Sequence, residues 1–210
     1  MEPQKSRSNR VLLIVLVILY LLTLAAFNYV NWAAAPEAMA WWMPLVNSVL
    51  LSIPLLLLYG SIYVLAVAWR QHAAGGQINP RLARIIHWAP RIAAILLIFF
   101  ISLFSLDVFG MEASPLELLG GFLIHNIPAI ALLVLLIFAW KRPAVGVVGF
   151  LLAGALFTFA FVRSLQDLPN LLVFVFPLLL IAGLFYADWR WVTPQPWTPT
   201  PAESNSQPLL

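Results

Sequence analysis

The stretch LELLGGFLIHNIPAIALLVLLIFAW, residues 116–140, runs for 25 residues with one acid, Glu117, and one histidine, His125. A helix rises about 1.5 Å per residue, so a run this long outreaches the roughly 30 Å hydrocarbon core of a bilayer. A water-soluble fold could not hide so continuous an apolar surface, and the reading is a spanning helix with lipid as solvent. Five more stretches of the same kind accompany it, at residues 11–29, 45–69, 89–109, 144–162 and 168–186. The expected fold is all-α, a six-helix transmembrane bundle.

Composition agrees. The chain of 210 residues is 63% apolar and 9% charged, against about 45–50% and 25% in soluble domains. Mean hydropathy is +0.96. The length suits one bundle. The net charge of +3 rests on basic residues beside the ends of apolar runs, which reads as topology and not as a nucleic-acid footprint. There is no cysteine, which excludes disulfides, thiolate ligands and a cysteine nucleophile.

Orientation follows from where those basic residues fall. One side gathers Lys5, Arg7, Arg10, Arg70, Arg81, Arg84, Arg91, Lys141, Arg142 and Arg190; the other has Arg163 with Glu37, Glu112, Glu117 and Asp167. Positive-inside bias then places both termini in the cytoplasm. The first run outlasts a signal-peptide core and reads as an uncleaved anchor. Trp69, Trp88, Trp140, Trp189 and Trp191 mark the inner interface, and Trp32, Trp41 and Trp42 the outer one. Between Arg70 and Trp88 lies an inner loop with turn signals at Gly75-Gly76 and Asn79-Pro80. Its Arg81 and Arg84, with Arg91, form inner-face basic anchors that could meet anionic headgroups. Residues 192–210, with five prolines, read as a disordered cytoplasmic tail.

Three runs carry an internal proline: Pro54, Pro128 and Pro177. Each frees the carbonyl four residues earlier, at Leu50, Ile124 and Val173, and predicts a kink. The fifth span carries Gly146, Gly149, Ala153 and Gly154. Small residues at this spacing let helices approach closely, either inside the bundle or across a homo-oligomer interface.

Few polar groups lie at membrane depth. Counting from Arg91 and Trp140, Asp107 and His125 reach about 24 Å and about 22 Å above the inner boundary. An Asp107–His125 pair, with Asn126, Ser105 and Ser102 close by, is the candidate polar or ligand site. Three readings stand open: a structural lock, a proton or small-ligand site titrating through His125, or a hydrolytic dyad of His125 with Ser102 or Ser105. The Arg163–Asp167 pair reads as an interfacial clasp. No lysine lies within a span, and no zinc-protease, phosphate-loop or haem-attachment motif is present. The expectation is therefore no cofactor and no metal.

The segments His87-Trp88-Ala89-Pro90-Arg91, Ser102 to Phe109, and Leu123-Ile124-His125-Asn126-Ile127-Pro128 resemble a family of small uncharacterised prokaryotic membrane proteins with a four-span core. The resemblance covers about residues 81–186, making the first two spans an addition. It implies a prokaryotic plasma membrane and no catalytic roles, and it singles out Arg91, Asp107, His125 and Pro128. The expected function is thus an integral multi-pass protein without enzymatic activity, with lipid as its partner and no nucleic acid. The alternative is a scaffold or assembly subunit packing through the fifth span, and behind these stand a proton-coupled transporter and an intramembrane hydrolase.

Overall fold

The computed structural model describes residues 2–34, 42–75, 78–110, 112–161 and 168–192. Among them the regular structure is entirely helical. Helix α1 (Glu2–Ala34) and α2 (Met43–Gly75) form an antiparallel hairpin, followed by α3 (Pro80–Leu103) and a 3-10 turn at Phe104–Gly110. Then come α4 (Pro115–His125), α5 (Ile127–Lys141), α6 (Pro143–Phe161), the short α7 (Leu168–Asn170) and α8 (Phe176–Ala187). Two π-helical turns, Leu171–Val175 and Asp188–Val192, flank α8.

Five helical stretches are long and apolar enough to cross a membrane, and α4 with α5 make a sixth candidate that is bent by 48°. The run 116–140, expected as one span kinked at Pro128, is a pair of helices with a sharp bend between them. Its break falls at Asn126, two residues before Pro128, whose missing N–H and bulky ring deny the ladder a partner there. At Pro177 the chain adapts differently, with a π-turn ending just before it, so that the Phe176 N–H bonds the Leu171 carbonyl. By contrast, α2 runs unbroken through Pro54.

Helix α3 begins nine residues before the expected start at 89. The side chain of Asn79 accepts the Leu82 N–H at 2.8 Å, and Pro80 occupies the first turn, where its missing N–H costs nothing. Arg81 and Arg84 consequently ride on helix and not in a loop, both exposed, while Leu82 and Ile86 turn inward. Asn79→Ala is expected to cost about 0.5–2 kcal/mol. Thermal unfolding in detergent checks this, and the loss should vanish with Asn79→Asp, which keeps an acceptor.

The bundle forms around α8, which packs on α2, α3 and α6, while α5 bridges α3 and α6. Leu97, Phe100, Phe150, Leu178, Ile181 and Phe185 are its buried centre. On the outside the same residue types are bare: Phe159 is 86% exposed and Leu116 79%. An apolar core inside an apolar surface is the arrangement that lipid requires, where close packing and interhelical hydrogen bonds replace the hydrophobic drive. The α1–α2 hairpin shows such bonds. The Tyr20 hydroxyl donates to Ser52 at 2.9 Å, Thr23 and Tyr59 share one at 2.7 Å, and Asn47 donates to Asn28 at 3.3 Å.

The glycines of α6 face other helices of this same chain. A Cβ at Gly146 would meet the Phe185 ring of α8, one at Gly149 would meet Leu135 of α5, and one at Gly154 would meet Leu179 of α8. Ala153 packs against the core as well. Of the two sequence readings of this stripe, interior packing is the one that these contacts occupy.

Arg163, Asp167, Glu37, Trp41 and residues 193–210 lie outside the described residues, and with them the expected clasp and tail.

Candidate functional site

Charged side chains meet at the tryptophan-rich end of the bundle. His87 and Arg91 stand four residues apart on α3 and so share a face. Asp188 opens the π-turn that follows α8. Asp188 is 0% exposed and Arg91 2%. The Arg91 Nη1 donates to Asp188 Oδ2 at 2.8 Å, a buried ion pair. His87 Nδ1 lies 3.1 Å from the other carboxylate oxygen, Oδ1, and its side chain is 46% exposed. The acid is thus locked to a buried cation on one side and linked to a half-open imidazole on the other.

The same guanidinium makes further contacts. Arg91 Nη2 donates to the Trp140 carbonyl at 2.9 Å, and Nη1 also donates to the His87 carbonyl. Helix α5 ends at Lys141, so the Trp140 carbonyl has no partner of its own in the helical ladder, and a cation is what a helix C-terminus attracts. The guanidinium carbon stands 5.8 Å from the centre of the Trp140 ring and 5.9 Å from that of Phe185, within cation–π range. One arginine therefore ties α3, α5 and α8 together. Trp88 meets Trp140 edge-on at 6.2 Å, and elsewhere at this end of the bundle Trp69 meets Trp191 at 6.1 Å.

In sequence, Arg91 reads as an inner-face basic anchor. Instead it is turned inward, because Asp188 offers it a charge partner at a depth where an unpaired cation would be costly. Asp188 escaped the sequence reading altogether. An acid beside Trp189 and Arg190 reads as a water-facing boundary residue, and the signal that could have found it is depth. Asp188 is an acid beside an apolar run on the predominantly basic side, at the level where Arg91 enters the bundle from an antiparallel helix.

At the opposite end the candidates divide. Asn126 is buried and its amide donates to the Ser105 hydroxyl at 2.5 Å; Ser105, also buried, donates to the Ser102 carbonyl at 2.5 Å. This joins the 3-10 turn to the α4–α5 break. His125 points away: its Nδ1 lies 2.9 Å from the Gly121 carbonyl one turn back, and the residue is exposed. Asp107 is also exposed and is not hydrogen-bonded or ion-paired to His125. The structure brings Asn126 and Ser105 together but does not bring Asp107 to His125. No cluster of three or more His, Cys, Asp or Glu side chains forms among the described residues.

The model of one family, described as a domain of unknown function (DUF7670), matches residues 79–196. That is more than half of the chain. It belongs to the DUF7670 family. No curated protein and no solved structure matches it. The DUF7670 region encloses the stretch 81–186 that resembled an uncharacterised family, and it starts at the cap residue of α3. It contains His87, Arg91, Trp140 and Asp188, whereas α1 and α2 precede it. The charge cluster is thus built wholly from DUF7670 residues.

Proposed function

We propose that the chain is a six-span integral protein of a prokaryotic plasma membrane, with both termini cytoplasmic, and that it acts as a membrane scaffold and not as an enzyme. The observation that carries this reading is the use to which its buried charges are put. Arg91 donates to the Trp140 carbonyl, the His87 carbonyl and the Asp188 carboxylate, whose other oxygen faces His87, and so holds three helices in register. The outer cluster supports the same view. The Ser105 proton is directed at a backbone carbonyl and not at His125, an arrangement that offers no base to a nucleophile. Lipid is then the principal partner, and nucleic acid has no place in the reading.

A second reading draws on His87 itself. It reaches a fully buried carboxylate while nearly half exposed, which is the geometry of a proton or small-ligand entry point. Complementation of a deletion strain separates the two. For a scaffold, His87→Gln and His125→Gln complement fully, and Asp188→Leu complements only as far as folded protein accumulates. A His87→Gln protein that inserts and folds yet fails to complement shifts the function to the entry point.

The six-span arrangement has its own test. On this cysteine-free background, single cysteines at Glu37, Glu112 and Asp167 are expected to react with an impermeant thiol reagent in intact cells. Cysteines at Gly75 and Lys141 should react only after lysis. The opposite pattern overturns the orientation.

A further inference from the structure

Near the start of α1, Arg7 and Ser8 stand above Val11, Leu12 and Val15, and across from them α2 contributes Arg70. Together these six residues line an open groove of about 500 Å³. Positions 7, 11 and 15 repeat every four residues, as do 8 and 12, so they form one face of α1. Over these eight steps the helix rises about 12 Å. The groove is therefore cationic and hydroxylated at one end and purely aliphatic below.

We propose that this groove binds one anionic phospholipid of the leaflet at the tryptophan-rich end. Arg70 is held in place by α1, its Nη1 donating to the Ser8 hydroxyl at 3.0 Å and to the Asn9 side-chain oxygen at 3.3 Å. Those contacts occupy one nitrogen of a side chain that is otherwise exposed. Arg7 has no hydrogen-bond or ion-pair partner among the described residues, and no described carboxylate pairs with either arginine. Two guanidiniums so placed match a phosphodiester, which each can grip through paired N–H donors. Val11, 56% exposed, and Val15, 46% exposed, give an acyl chain the wall it needs, which a free phosphate could not use. A zwitterionic lipid would bring its ammonium group toward the same two cations, so the charge pattern selects an anionic headgroup.

The inference rests on the bilayer placement proposed above, but the binding experiment does not. Full-length protein in neutral detergent is titrated with phosphatidylglycerol or phosphatidylcholine, and bound lipid is counted by native mass spectrometry. Wild type should prefer phosphatidylglycerol by about 30-fold, the gain expected from two arginines at a membrane surface. Arg7→Gln, which leaves the Arg70 contacts to Ser8 and Asn9 intact, should lose about fivefold of that preference, and Arg7→Gln with Arg70→Gln nearly all of it. Arg81→Gln with Arg84→Gln, basic residues of the same end on α3, should keep it. Equal loss in both double variants would reduce the effect to general basic charge and overturn the site. Displacement of the lipid by equimolar inorganic phosphate would overturn it as well. Failure here with the expected cysteine labelling would remove the lipid site and leave the topology standing.

Discussion

Asp188→Leu should cost the folded bundle about 3–5 kcal/mol, because it strands a buried guanidinium without its counter-charge. Arg91 would retain its bonds to the Trp140 and His87 carbonyls, but two neutral acceptors do not compensate a full charge at 2% exposure. Arg91→Met is expected to fall in the same range, since it leaves the carboxylate buried beside a half-exposed imidazole. The double variant Arg91→Met with Asp188→Leu should recover most of the loss, because exchanging a whole buried pair for apolar side chains of similar volume is often close to neutral. His87→Gln should cost less than about 1 kcal/mol, as expected for an interaction whose outer partner is open to solvent. Unfolding by sodium dodecyl sulfate titration from mixed micelles measures all four. If the double variant shows the sum of the single losses, the pair is not a coupled clasp and the scaffold reading loses its carrying observation.

That clasp also marks where sequence reading reaches its limit. Apolar run length alone located the membrane-scale helices, because hydrophobic content is a property of each residue summed along the chain. Asn79-Pro80 reads in sequence as a turn signal within a loop, whereas in the structure it caps a helix that begins nine residues before the expected start. Asp188 was not visible, since what buries it is Arg91, 97 residues away in sequence. A partner on another helix sets the environment of such a group, and depth estimates fix height without fixing direction around the helix axis. Asp107 and His125 illustrate the same gap. Rise per residue predicts matching heights for them, yet at the 48° break the Asn126 amide meets Ser105 and His125 lies exposed.

The glycines of α6 provide the second large effect, and they discriminate between rigid and yielding neighbours. At Gly146 an added Cβ would lie 2.6 Å, 2.7 Å and 2.8 Å from three carbons of the Phe185 ring. That ring is 0% exposed and stacks on Phe150 at 5.6 Å. It also lies against the Arg91 guanidinium. It has no room to retreat, and any shift disturbs the charge cluster. Gly146→Ala should therefore lose a net ~2 kcal/mol, an overpacking cost of up to about 3 kcal/mol less the helix preference of alanine, about 1 kcal/mol. Gly149→Ala meets Leu135 more closely, at 2.1 Å, yet Leu135 is only partly buried and can swing its methyls toward lipid. Its net effect should lie within about 0.5 kcal/mol of zero, with the helix gain offsetting the adjustment. Adding Phe185→Leu to Gly146→Ala should restore part of the loss, a non-additivity that arises only between groups in contact. The oligomer reading of the same stripe predicts something else: monomers of unchanged stability that no longer associate. Size-exclusion with light scattering, run beside the unfolding titrations, decides between them. A Gly146→Ala protein of wild-type stability but smaller mass would move these glycines from the interior of one bundle to the seam between two.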